Sequence, residues 1–491
     1  MVELRYWSRL FFPVVFIALC SGCSGEGETH DVDDTGVGTD VSINQGEQGD
    51  VSQPDVSQPG DDTDVDAASN DVDSGSGGDT DSDSDAGAND EENDDPLACP
   101  PRASAQGEVV DVSPEDVDEL PNMVRTAESG TTFVLADGTY EIPDTIQVRA
   151  EDITLRSASD DRDAVVIDGR YEVNSLIYAT ASDMTVAHLT LTRAVHHPIH
   201  VTPGAEETTS VTGTDIYDVA ITDASQQFIK INGNSDRTAF VDEGRVECSY
   251  FELTDAGRPH VDRTATGCYT GGVDAHGARD WVVRNNEFHD IYCAGEGLAQ
   301  HAIHFWTGSR DTLVENNWIY NCARGIGFGL RQSGEARTYD DELYAELEGL
   351  IGHYDGLIRN NVIFADHEWY DTGIEIAQNP GGRVYHNTIY SVEATESFAS
   401  IDYRFENTDA EIRNNLTDRI SVRNDASGTV DHNLESIGPE LFVDAAQRDF
   451  HLVSEATEAI EQGIDVPEAG VDMDGESRPK GAAPDIGADE Y

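Results

Sequence analysis

Apolar and polar positions alternate in one short pattern that recurs seven times along the chain. The stretches are Pro198-Ile199-His200-Val201, Phe228-Ile229-Lys230-Ile231, Gly272-Val273-Asp274-Ala275, Ala302-Ile303-His304-Phe305, Gly325-Ile326-Gly327-Phe328, Gly373-Ile374-Glu375-Ile376 and Ser400-Ile401-Asp402-Tyr403. Each sets a variable residue between two apolar ones. That period predicts a strand with the apolar pair inward and the middle residue outward. The position that follows (Thr202, Asn232, His276, Trp306, Gly329, Ala377 and Arg404) points the same way as the middle one. Strands stacked in parallel at about 4.8 Å per rung would bring His200, Lys230, Asp274 and His304 side by side on one flat face.

A second repeat supplies the corners. Arg284-Asn285-Asn286-Glu287-Phe288 is echoed by Glu315-Asn316-Asn317-Trp318-Ile319, Arg359-Asn360-Asn361-Val362-Ile363, Tyr385-His386-Asn387-Thr388-Ile389, Arg413-Asn414-Asn415-Leu416 and Asp431-His432-Asn433-Leu434. Asn tolerates the left-handed backbone of a sharp corner, and its amide can bond the Asn above and below. From Asn286 on, the intervals of 31, 44, 26, 28 and 18 residues are uneven. A solenoid accepts this if the surplus is looped out. The largest insertion lies between Arg331 and Gly356, where Asp340 to Leu347 reads as one or two helical turns walling the face; another runs from Arg258 to Tyr269. Residues 115–127 read as a helix capped by Ser113-Pro114-Glu115-Asp116, with Val117, Leu120, Val124 and Ala127 as its apolar stripe. Such a helix suits the open end of a stacked core.

Short strands with inward Ile and Val, joined at Asn corners, describe the coils of an all-β parallel β-helix with an N-terminal capping helix. Propeller blades would need hairpin turns at closer spacing, and few such turns are present. The Asn corners, the Ile columns and the ending Asp472-Met473-Asp474-Gly475, Arg478-Pro479 and Asp485-Ile486-Gly487-Ala488 resemble the right-handed parallel β-helix proteins of bacteria, the pectate-lyase-like superfamily. The resemblance covers about residues 130–491. It implies lyases, epimerases or hydrolases acting on polysaccharide. The Asn-x-Asp, Asp-Asp and Gly-His-Gly set of polygalacturonases is absent; Asp274-Ala275-His276-Gly277 is a faint echo.

The N-terminus changes the picture of where the protein works. Arg5 and Arg9 precede the apolar run Leu10 to Leu19, too short to span a bilayer. Leu19-Cys20-Ser21-Gly22-Cys23 resembles a lipoprotein signal over residues 1–23, with Cys23 as the lipid-modified residue. Ser24 after it leans towards the outer membrane by resemblance. Residues 24–98 hold 24 Asp and Glu and neither Lys nor Arg, the composition of a disordered acidic tether. Residues 99–491 are then the folded domain of an envelope-anchored monomer. The whole chain carries a net charge of −68 and only two lysines, Lys230 and Lys480, which argues against nucleic-acid binding. Beyond the signal, Cys99, Cys248, Cys268, Cys293 and Cys322 remain. Neighbours among the last three are placed to pair, and an odd number leaves one thiol over.

The stripe carries the candidate chemistry. Lys230 is the one lysine before the tail motif, and it falls in this column beside Asp274 and His304. A lyase needs a base to take a proton next to a carboxylate and a cation to hold that carboxylate. Lys230 or His304 is the candidate base, next to Asp274, and Arg404 or a bound Ca²⁺ the neutralising charge. His200, Asn232, His276, Trp306, Arg331, Glu375 and Asp402 are candidate substrate contacts, with Trp306 stacking on a sugar and Gly327 and Gly329 as a bare groove floor. Glu375 and Asp402, on adjacent rungs, would suit a retaining hydrolase; Asp274 and Glu375, three rungs apart, would not. Asp274, His276 and His304 could instead hold a divalent metal. The alternative to an enzyme is a non-catalytic glycan-binding or structural surface lipoprotein.

Overall fold

The computed structural model describes residues 97, 99, 107–204, 208–264, 267–295, 297–330, 336–340, 344, 345, 347, 350–392 and 398–491. Cys23, the acidic tether up to residue 96 and Arg331 lie outside the described residues. No helix among those described is long and apolar enough to cross a membrane.

The strands form three long sheets of twelve, ten and eleven members. All neighbours within these sheets pair in parallel, and one coil contributes one strand to each sheet in turn. Val282–Arg284 lies in the twelve-stranded sheet, Glu287–His289 in the eleven-stranded one and His301–Trp306 in the ten-stranded one. The ten-stranded sheet is built from the predicted stripe. Its inner column runs in register through Ile146, Ile177, Ile199, Ile229, Val273, Ile303, Ile326, Ile374 and Ile401, all fully buried. β-Branched side chains at period two on a pleated surface suit this stacking.

The corners divide two tasks that one Asn was expected to perform. The residue before each ladder Asn takes the left-handed backbone: φ is 57° at Asn285, 53° at Asn316, 54° at Asn360, 52° at His386, 56° at Asn414 and 52° at His432. The second residue points inward and builds the ladder. Nδ2 of Asn286 donates to Oδ1 of Asn317 at 2.9 Å, and the same bond recurs from Asn317 to Asn361, Asn387, Asn415 and Asn433 at 2.8–3.0 Å.

The capping helix is shorter than its stripe implied. A 3-10 turn spans Pro114–Asp116 and the α-helix only Leu120–Arg125. Pro121 fits only the first turn of a helix, because it has no N–H for a carbonyl one turn back. Leu120 and Val124 are fully buried where the helix meets Ile146–Val148, the terminal strand of the ten-stranded sheet.

Of the helical turns expected in the insertion after Phe328, the described residues Asp340, Tyr344, Ala345 and Leu347 show one turn bond, from the Leu347 N–H to the Tyr344 carbonyl at 3.0 Å. Its side chains clamp it. Arg337 makes a forked bond to the Asp242 carboxylate at 2.6 and 2.9 Å and donates to the Gly277 carbonyl at 2.7 Å. The Tyr339 hydroxyl donates to the Gly308 carbonyl at 2.8 Å. Gly277 and Gly308 lie just past the strands that carry His276 and Trp306, so the insertion walls the C-terminal ends of those strands. On the opposite side, the Cys268–Cys293 disulfide ties together the segments entering the strands Val273–His276 and His301–Trp306. A second disulfide joins Cys99 to Cys248, and Cys322 stays a buried thiol whose pKa burial pushes up.

Candidate functional site

The outer column of the ten-stranded sheet has the expected register. His200 pairs with Lys230, Lys230 with Asp274, Asp274 with His304, His304 with Gly327, Gly327 with Glu375 and Glu375 with Asp402. Alongside it His276 pairs with Trp306, and Ala377 with Arg404. The column is not the solvated face that alternation implied. Lys230 is 3% exposed, Asp274 and His304 each 2%, Glu375 3% and Asp402 1%. The groups bury one another by pairing, which offsets the cost of removing charge from water. His200, Asn232, His276 and Trp306 remain partly exposed and form the rim.

Two charged clusters result. In the first, the Lys230 ammonium donates to Asp274 Oδ2 at 2.6 Å and to His276 Nε2 at 2.8 Å. The Trp306 indole N–H donates to Asp274 Oδ1 at 2.8 Å. Burial acts to raise the Asp274 pKa, but Lys230, then His276 and His304, hold it well below the carboxylate range. His304 donates from Nε2 to the Gly329 carbonyl at 3.1 Å, so in the neutral ring Nδ1 is a bare acceptor. Nδ1 has no hydrogen-bond partner and lies 3.8 Å from Asp274 Oδ1. Burial, and next the neighbouring His301, lower the His304 pKa to about 3; burial and Lys230 take His200 to about 3 as well. Both imidazoles are therefore neutral at ordinary pH. Trp306 lies flat against His304, with ring centres 5.0 Å apart and an angle of 10°, and tilts against His276 at 4.5 Å.

In the second cluster, Arg404 binds the Glu375 carboxylate and Arg423 forks onto Asp402 at 2.9 and 2.8 Å. Burial works upward on Glu375, yet Arg404 and His301 keep its pKa well below the usual range. Burial raises Asp402 against the opposing pull of Arg423. Both carboxylates are engaged by arginine, so neither is free to act as the nucleophile or acid of a retaining pair. Nor does the site offer a calcium cage. Ca²⁺ takes six to eight oxygens, and here Asp274, Glu375 and Asp402 are each bonded to a cation. Among the described residues, the metal-ligating atoms of three side chains come within 4.8 Å of one another at His451, Asp474 and Asp489, and not at Asp274, His276 and His304.

The bare floor is also filled. A Cβ built on Gly327 would lie 2.8 Å from Nε2 of His301, whose ring occupies that space. At Gly329, φ is +77° and a Cβ would meet the Ala377 carbonyl oxygen at 1.9 Å, so the glycine serves the backbone. Sequence reasoning missed His301 and Arg423. His301 sits one residue outside the repeated four, and Arg423 belongs to Ile420–Arg423, a strand beyond the seventh repeat. The doublet Arg404 and Arg423, which pair in register, was the available signal. A separate open cleft of about 510 Å³, lined by Asp311, Asp355, Arg383, Asp409 and Glu411, contains none of these groups.

Residues 207–417 match the family model described as the right handed beta helix region. The fold is a right-handed parallel β-helix. No curated protein matches it in sequence. Solved β-helix structures similar to it include pectate lyase Pel9A, 15% identical, with 78% of this chain and 96% of that chain covered and a TM-score of 0.48. The PL6 family polysaccharide lyase Pedsa3628 from Pseudopedobacter saltans is 12% identical over 72% of this chain and 98% of that one, at a TM-score of 0.34. The Streptococcus pneumoniae surface protein and adhesin PfbA is 12% identical over 66% and 100%, at 0.38. These are likenesses of fold.

Proposed function

We propose that this β-helix protein is carbohydrate-active and acts as a polysaccharide lyase on a uronate-containing glycan, held at the cell envelope through Cys23 as a monomer. One observation carries the reading. A neutral imidazole with a bare nitrogen, a carboxylate and the only lysine before the tail motif are packed together beneath a pinned, partly exposed tryptophan. A saccharide ring stacks on the free side of Trp306. The substrate carboxylate draws the Lys230 ammonium from Asp274, with His200 and His276 at its edge. Released from Lys230 but still bonded by the Trp306 indole, Asp274 faces His304 without its cation and raises the proton affinity of Nδ1. His304 then takes the proton next to the substrate carboxylate. The electron pair forms a carbon–carbon double bond, the bond to the glycosidic oxygen breaks, and that oxygen leaves with a proton from solvent.

The test incubates the full chain with a panel of uronate polysaccharides, with and without Ca²⁺, and follows the ultraviolet absorbance of the unsaturated product. A rise supports the lyase. Saccharide binding with no rise supports a non-catalytic glycan-binding protein, a reading favoured by the mutual neutralisation of Lys230 with Asp274 and of Arg404 with Glu375. Binding to no glycan in the panel discards both.

A further inference from the structure

His301 pairs in register with Arg324, outside the stripe, yet its ring turns over the next rung of the outer column. The space it enters exists because residue 327 is glycine: a Cβ there would lie 2.8 Å from Nε2 and 2.9 Å from Cδ2 and Cε1 of His301. From that seat the ring packs against His304, with centres 4.4 Å apart, while Trp306 lies on His304 at 5.0 Å. His301 Nε2 is buried without a hydrogen-bond partner, 3.7 Å from Glu375 Oε2. That contact is longer than a hydrogen bond, and its pull on Glu375 does not by itself fix the ring's place over Gly327. Over Gly327, its ring stands directly against that of His304.

We propose that His301 is a positioning residue: wedged over Gly327, it holds His304 in the orientation that gives its Nε2 proton to Gly329 and leaves Nδ1 bare beside Asp274. A catalytic consequence rests on the reading of His304 as proton acceptor; the orientation itself does not. If the wedge is lost, the ring rotates between two settings, and in one of them no nitrogen faces Asp274. The glycine and the histidine are then a matched pair, each explaining the other.

The experiment compares the full chain with three variants, His301→Ala, Gly327→Ala and the double variant. Histidine nitrogens are labelled with ¹⁵N and read by NMR. In the wild-type chain His304 shows one protonated and one bare nitrogen; in both single variants the two signals move towards each other. Gly327→Ala melts lower than wild type because its methyl meets the His301 ring. The double variant melts higher than Gly327→Ala because the clash is gone, and this comparison remains readable if His301→Ala alone fails to fold. Where a uronate substrate is found, each variant loses about a hundredfold in kcat with KM little changed, the signature of a misplaced reacting group. Unchanged His304 nitrogen signals in Gly327→Ala and in the double variant overturn the proposal. A wild-type chain inactive on every uronate overturns the lyase reading, and the NMR comparison still decides the wedge.

Discussion

Two stacks of buried polar side chains run along this β-helix, and they are built on opposite terms. The asparagine ladder at Asn286, Asn317, Asn361, Asn387, Asn415 and Asn433 repeats one residue, and none of its carboxamide atoms is left without a partner. Each interior Oδ1 accepts the amide and the backbone N–H of the rung before it. The outer column of the ten-stranded sheet changes residue at every rung. It leaves His200 Nε2 and His304 Nδ1 without hydrogen-bond partners, and Nε2 of His301 and Nε of Arg404, which stand beside it, lack them too. A buried polar atom left unpaired costs about 1–3 kcal/mol, a cost the inward ladder amides avoid although the corner residue Asn316 beside them leaves Oδ1 unpaired. Saturation marks the ladder as scaffold. Heterogeneity with orphaned nitrogens marks the column as a place that meets something else.

The sharpest way to break this contrast is Lys230→Ala. The sequence alone suggests a small change in melting temperature, because the side chain was expected to face water. The structure reverses that expectation. Removing the ammonium leaves Asp274 buried at 2% exposure without its cation, and breaking a buried pair typically costs about 3–5 kcal/mol. Denaturant unfolding should show that loss, and turnover or glycan binding should vanish with it. Lys230→Met combined with Asp274→Leu removes both charges and should recover most of the stability with none of the function.

Asn361→Ala is the counterpart in the ladder. It takes Oδ1 from the Asn317 backbone N–H and Nδ2 from the carbonyls of Val314 and Arg359. The expected loss is about 3 kcal/mol in denaturant unfolding, with function retained at temperatures where the chain is folded. Equal loss of function at full folding would erase the distinction between the two stacks.

Acid separates them next. The ladder has nothing to titrate, whereas His200 and His304 have folded pKa values of about 3, as does His353, which stacks on Phe328 elsewhere in the core. Each is neutral when folded and has an ordinary value near 6.5. Below about pH 6.5 the unfolded chain binds protons that the folded chain refuses, so stability falls with pH from there to about 3. The slope is about 1.4 kcal/mol per pH unit for each histidine once it is well inside the window. His353→Phe should flatten the slope by one such step while keeping an aromatic ring on Phe328 and every charge of the outer column. Asp274, held low by Lys230, adds its own loss only below its ordinary carboxylate value.

How much of this was legible follows the same division. Period-two alternation fixes which residues share a strand face, and parallel stacking fixes which become neighbours, so Lys230, Asp274, His304, Glu375 and Asp402 could be placed in one column from sequence. Alternation says only that a side chain points away from the core. It does not say whether water or another side chain waits there, and the pairing of Lys230 with Asp274 and of Arg423 with Asp402 decides that. Nor does it report a ring that leans across rungs, which is why the space over Gly327 read as empty while His301 fills it. The Asn corner was legible as a motif, but dividing it between a left-handed residue and a ladder residue needs the backbone angles of Asn285 and its equivalents.

The smallest expected effect lies at the rim. Trp306→Phe keeps an aromatic ring against His304 and removes the indole donor to Asp274 Oδ1. A hydrogen bond to a charged acceptor contributes about 1.5–3 kcal/mol, and because Trp306 is partly exposed, water can replace part of it; the net loss should lie near the lower figure. If Trp306 is the saccharide platform, Phe should weaken glycan binding by a few-fold and Ala by about tenfold or more, since stacking is worth about 0.5–1.5 kcal/mol beyond burial. If instead its only service is to roof the Asp274 and His304 pair, Phe and Ala should bind glycan equally and differ only in stability. Calorimetric titration of both variants with one uronate oligosaccharide distinguishes a rim that greets a ligand from a lid that merely closes the column.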